Sequence, residues 1–63
     1  MEKLSHQIDA VILLLQDMKD DAEKCDNGKV GAPGTRLRKC ATDVAKRMKQ
    51  LRADVLELRK SED

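Results

Sequence analysis

The sequence predicts an all-α chain, an antiparallel two-helix coiled-coil hairpin that dimerises into a four-helix bundle. Three observations carry this. The composition is 40% hydrophobic and 40% charged with no aromatic residue, the balance of long amphipathic helices rather than of a mixed core. Two apolar series run at heptad spacing, and one stretch rich in glycine separates them. With 63 residues there is room for a single domain, 1–63, whose small core calls for help from a partner copy, a metal or disulfides.

The first helix is predicted over about 2–26. Met1, Leu4, Ile8, Val11, Leu15, Met18, Ala22 and Cys25 alternate steps of three and four, an unbroken seam. The turn is predicted over about 27–34, where all three glycines and the only proline fall. Thr35 then offers its hydroxyl as N-cap of a second helix over about 35–60, with Leu37, Ala41, Val44, Met48, Leu51, Val55 and Leu58 as its seam. A fold-back near residue 31 sets Cys25 opposite Leu37, Leu15 opposite Met48 and Leu4 opposite Leu58. From Val11 to Leu15 the first helix is apolar on every side, which a lone hairpin cannot bury. Ile12, Leu13 and Leu14 are therefore predicted to form an oligomer interface, with a dimer favoured.

Little in the chain suits catalysis. His6 falls on the outer face of the first helix with no paired nucleophile, and Asp17, Asp20, Asp21, Glu23 and Asp26 read as a solvated face rather than an acid/base pair. Asp26 is expected to pair with Arg38 across the hairpin. Cys25 and Cys40 lack the close ligand spacing of a structural zinc, so no metal is expected. They lie on opposite arms about one turn out of level, too far for the roughly 4.4–6.8 Å Cα separation of a disulfide, and are predicted to stay thiols. No catalytic residue, cofactor or small-molecule substrate is expected. The longest apolar run, Ala10–Leu15, is far below the roughly 18–20 residues of a membrane span, and no signal peptide is present, so a cytoplasmic protein without membrane contact is expected.

Charge is unevenly spread behind a formal total of +1. Residues 1–28 carry three bases against seven acids, a net of −4; residues 29–52 carry eight bases against Asp43 alone, a net of +7. A local +7 is a candidate footprint for a polyanion. Lys29, Arg36, Arg38, Lys39, Lys46, Arg47, Lys49 and Arg52 supply it, and backbone N–H groups around Gly34-Thr35-Arg36 are expected to add a phosphate site at the helix start. With no aromatic residue to stack on bases, a single-strand platform is disfavoured and duplex phosphate contacts remain.

The run Gly28-Lys29-Val30-Gly31-Ala32, followed by Gly34-Thr35-Arg36-Leu37-Arg38-Lys39 and an amphipathic helix, resembles the short histone-like proteins of chlamydial Hc type and their Bacteroidetes relatives. Those proteins join two helices by a pattern close to Gly-Asn-Lys-Ala-Ala-Gly-Thr-Arg-x-Arg-Lys. The resemblance implies nucleoid-type DNA binding, with Lys29, Arg36, Arg38 and Lys39 at the matching basic positions. The chain departs from the pattern in an extra turn residue with Pro33, and it carries no long Lys/Ala/Pro-rich tail, so the resemblance implies binding more than strong compaction. The expected function is sequence-nonspecific binding of duplex DNA by the nine residues Lys29, Thr35, Arg36, Arg38, Lys39, Lys46, Arg47, Lys49 and Arg52, in a nucleoid-associated homo-oligomer. A coiled-coil adaptor for an acidic protein fits the same basic ridge, and structured RNA is a second alternative to duplex DNA.

Overall fold

The computed structural model describes residues 1–62, with side chains through Ser61. It is a helical hairpin with α1 over Leu4–Asp26 and α2 over Gly31–Glu62, packed antiparallel along a molecule 52 × 15 × 14 Å in extent. There is no strand among the described residues.

The connection is much shorter than the sequence suggests, spanning only Asn27 to Val30. Two backbone bonds close α1: Gly28 N–H donates to the Cys25 carbonyl at 3.0 Å and Lys29 N–H to the Lys24 carbonyl at 2.9 Å. This paired pattern is the Schellman termination, and it requires a left-handed residue just past the helix. Gly28 supplies it with φ +94°, the one positive φ among the described residues.

The second helix begins at Gly31 rather than at Thr35. Pro33 does not break it, because the first turn of a helix has no intrahelical use for its N–H groups and the proline ring presets a helical φ. Gly34 N–H already donates to the Val30 carbonyl at 3.0 Å, and the Thr35 hydroxyl donates to the Gly31 carbonyl at 3.2 Å. Thr35 is thus inside the helix and is not its N-cap. The close approach of the arms falls at Gly34, where a Cβ would lie 3.2 Å from Val30 Cγ1 and 3.8 Å from Cys25 Sγ. The fold-back centres on the Asn27–Val30 turn, and Cys25 lies against Gly34 and shares a shallow cleft with Leu37. Cys25 and Cys40 are both free thiols.

The seam is also turned by about one residue from the expected one. Val11 is the buried centre, 6% exposed, and the half-buried residues beside it are Leu4, Gln7, Leu14 and Met18 on α1 and Leu37, Cys40, Val44, Met48 and Leu51 on α2. Ile8, Leu15 and Val55, all expected in the seam, stay exposed, Leu15 at 47%. On a helix, positions four before and three after a central residue fall on one flank, and those three before and four after fall on the other. Gln7 and Leu14 are on the first flank of Val11, Ile8 and Leu15 on the second. The hairpin therefore closes over one edge of its apolar stripe and leaves the other edge open. Leu58 is exposed for a simpler reason, since α2 has 32 residues against 23 in α1 and its last turns outrun Leu4.

Candidate nucleic-acid interface

Polar side chains explain the rotation. Near the turn, the Arg36 guanidinium bonds the Asp21 carboxylate, with Nη2 to Oδ1 at 3.0 Å and Nε at 3.3 and 3.4 Å to the two oxygens. Near the open end, Asp54 accepts from Gln7 Nε2 at 2.7 Å and from Gln50 Nε2 at 2.9 Å. Asp21 and Asp54 are each only 8% exposed, and both clasps lie on the same edge of the hairpin. A buried carboxylate must keep its partners, so these two fix both the register and the roll of one helix on the other. The bond from Arg36 holds the Asp21 carboxyl below the usual carboxylate range, against the opposing effect of burial, and the charges of Arg36 and Lys24 add to the lowering. In turn the Asp21 carboxylate raises the Arg36 guanidinium further above its ordinary value.

These clasps sort the cations. Arg36 is committed to Asp21, and Arg47 to Asp43 one turn before it at 3.1 Å. Lys29, Arg38, Lys39, Lys46, Lys49 and Arg52 are exposed and make no ion pair among the described residues. The expected Asp26–Arg38 pair is not formed, because the earlier fold-back brings Asp21 and Arg36 together instead. On α2, residues 35, 39, 42, 46 and 49 follow steps of four and three directly opposite the seam, so Thr35, Lys39, Thr42, Lys46 and Lys49 make one outward stripe. Arg38 and Arg52 flank it on the open side. A shallow cleft between Thr35, Arg38, Lys39 and Thr42 places two cations beside two hydroxyls, although each threonine hydroxyl also bonds back to a carbonyl four residues earlier.

The anion site expected at Gly34-Thr35-Arg36 is not there, because those residues lie within the helix. The first-turn N–H groups left without a helical acceptor belong to Gly31 and Ala32, Pro33 having none. Acidic residues also guard the clasped edge, since Asp17, Asp20 and Asp21 share a cleft with Lys24, Arg36 and Lys39. Of the residues expected at an oligomer interface, Ile12 lies on the open edge, Leu13 is 64% exposed on the back of α1, and Leu14 is half-buried in the seam. His6 is exposed. No group of three or more potential metal ligands occurs, and no helix is long and apolar enough to cross a membrane, among the described residues.

A family model for the histone H1-like protein Hc1 matches residues 2–61, nearly the whole chain. The chain belongs to the Hc1 histone H1-like family. That family is one of DNA-binding proteins of the nucleoid, and the Hc1-type resemblance carried by the turn and the start of α2 extends along both helices. No curated protein and no solved structure matches the chain.

Sequence reasoning missed Asp21, Gln7, Gln50 and Asp54 as a group. The available signal was their spacing: Gln7 and Asp21 sit at the same heptad position, fourteen residues apart, and Gln50 and Asp54 are four apart.

Proposed function

We propose that this Hc1-family chain binds duplex DNA without reading base sequence, through phosphate contacts from the back of α2. The observation that carries this reading is the separation of the cations into two sets. Arg36 and Arg47 are tied to carboxylates on the hairpin itself, while Lys39, Lys46 and Lys49 form an unpaired stripe flanked by Arg38 and Arg52. Lysines are point charges on flexible stems, suited to phosphate oxygens and poorly suited to base edges. Thr35 and Thr42 add hydroxyls between them, and Lys29 extends the positive surface to the turn. Arg36 and Arg47 contribute long-range charge and hold the helix in place. The functional form in this reading is a nucleoid-associated homo-oligomer, assembled through exposed apolar residues that include Ile12 and Leu13 but not the seam residue Leu14, and the protein performs no chemistry on DNA.

The test is an anisotropy titration of several unrelated duplexes with wild type and with a Lys39→Glu/Lys46→Glu/Lys49→Glu variant. The expected result is similar affinity for all duplexes with wild type and a loss of at least a hundredfold in the variant, helicity being retained. If wild type binds no duplex at low salt, the basic stripe is a docking surface for an acidic protein, and if structured RNA outcompetes duplex DNA, RNA is the ligand.

A further inference from the structure

The cations of α2 repeat with its heptads, and they fall in groups. Arg38, Arg52 and Arg59 share one heptad position, and Lys39, Lys46 and Lys60 share the next. All six are exposed. Between them the outward faces carry no charge where Thr42 and Ala45 fall, nor again where Ala53 and Leu56 fall. The result is three clusters: Arg38 with Lys39, then Lys46 with Lys49 and Arg52, then Arg59 with Lys60. Their centres lie about 10.5 residues apart, or about 16 Å at the rise of a helix, and the series from 38 to 60 is about 33 Å long. No glycine or proline follows Gly34, and α1 braces most of α2, so the helix keeps these intervals fixed.

The last cluster lies beyond the packed part of the hairpin. α2 has 32 residues against 23 in α1, and Arg59 and Lys60 stand on the turns that project past Leu4. Every residue from Val55 to Ser61 is exposed, so these turns add little to the seam. Without them the series of cations would end at Arg52, about 21 Å from Arg38. With them its length matches one turn of B-DNA, about 34–36 Å. A straight rod laid along a duplex passes one or other phosphate backbone twice in each turn, on average about every 17–18 Å, close to the interval between clusters. The crossings alternate across the narrower minor and wider major groove, and the flexible side-chain stems take up the difference. A rod laid across the duplex meets a surface that curves away, and only one cluster stays well within reach.

We propose that α2 lies lengthwise along the duplex with its three clusters on successive backbone crossings, so that Arg59 and Lys60 belong to the site and one hairpin spans one helical turn, about 10–10.5 base pairs. This placement rests on the DNA reading above and adds to it the direction of the rod and the length of duplex it needs. Charge holds the rod in the same attitude along its length. Asp17, Asp20 and Asp21 line a cleft on the clasped edge, and Asp43 and Glu57 share the heptad position of Arg36 on that edge. A duplex rolled toward it would meet carboxylates near the turn, at mid-length and beside the last cluster, whereas the outward stripe presents cations at all three levels.

Duplex length supplies the test. A duplex of about 8 base pairs, roughly 27 Å long, reaches two neighbouring clusters, and one of about 16 base pairs, roughly 54 Å long, reaches all three. Anisotropy titrations over a range of salt compare wild type with Arg59→Gln/Lys60→Gln on both, circular dichroism confirming that the variant keeps its helicity. On the longer duplex the variant should have a slope of log affinity against log salt shallower by about 1.8, two contacts at about 0.9 each, and should bind at least about tenfold more weakly at low salt. On the shorter duplex either neighbouring pair of clusters supplies five cations and one such pair survives in the variant, so the slopes should agree and the affinities differ about twofold. Flow linear dichroism on long DNA reads direction separately: the amide transition polarised along the helices should align with the duplex axis. A transition aligned across the axis, the same loss of slope on both lengths, or no loss on either would each overturn the lengthwise placement while leaving DNA binding intact. A wild type that binds neither duplex at low salt overturns the DNA reading and the placement together.

Discussion

Neutralising the outer stripe while leaving the clasped cations alone separates the two classes of charge in a single experiment. Lys39, Lys46, Lys49, Arg38 and Arg52 are five of the unpaired cations on or beside the back of α2. Each phosphate neutralised on B-DNA adds about −0.9 to the slope of log affinity against log salt, so five contacts give about −4.5 per hairpin. Lys39→Gln/Lys46→Gln/Lys49→Gln removes three of them and should bring the slope to about −1.8. Arg47→Gln, which removes a cation already paired with Asp43, should leave the slope within about 0.3 of wild type. Fluorescence anisotropy of one labelled duplex over a range of salt concentrations reads all three slopes. If the triple variant keeps the wild-type slope, or if Arg47→Gln lowers it as much as a stripe lysine does, DNA lies against another face and the division of the cations has no functional meaning.

Further consequences follow for the scaffold. Gly28→Ala forces a left-handed backbone on a residue with a Cβ and should cost about 1–2 kcal/mol, lowering the melting temperature by roughly 4–15 °C with no effect on the salt slope of what remains folded. Val11→Ala removes two methyl groups from the most buried apolar position and should cost about 1–2 kcal/mol, seen as an earlier midpoint in a urea melt. Because the Asp21 carboxyl is held below its ordinary value in the folded chain, its ion pair with Arg36 stabilises the fold above the unfolded carboxylate range. That contribution is lost as pH falls through the lowered folded value. Thermal melts between about pH 7 and pH 3 should therefore show a smaller pH dependence for Asp21→Asn than for wild type, and equal dependence would remove Asp21 from the account.

The fold was legible in the sequence because it depends on period and punctuation. Two heptad runs separated by the glycines dictate two helices, and their complementary lengths dictate a hairpin. Three details were not legible, each for a physical reason. Pro33 and Gly34 look like turn residues, yet a proline costs nothing in the first turn of a helix, and Gly34 is there for close approach to Val30 and Cys25. The start of α2 therefore moved four residues earlier. A heptad seam is symmetric about its centre, so apolar periodicity alone cannot say which flank of Val11 and Val44 closes. Gln7, Asp21 and Asp54 decide it by finding partners, and that information lies between helices rather than along them. Arg36 reads from sequence as a ligand contact, and only the packed hairpin shows it spent on Asp21.

The same polar choice connects scaffold to function. Had the hairpin closed over Ile8, Leu15 and Val55, its apolar stripe would be fully used and Gln7, Asp21 and Asp54 would face water with no pairing to maintain. By closing over the polar flank, the chain buries two carboxylates that find their partners in this register and leaves Ile8, Ile12, Leu15 and Val55 exposed along the other edge. Arg36 and Arg47 are paired with carboxylates of the hairpin itself, which leaves lysine as the main cation on the outward stripe. Lysine ammonium groups follow phosphate charge without demanding one geometry, so the residues least tied to the scaffold are also those least able to discriminate among sequences. In the proposed reading, nonspecific binding follows from which cations the fold pairs and which it leaves free.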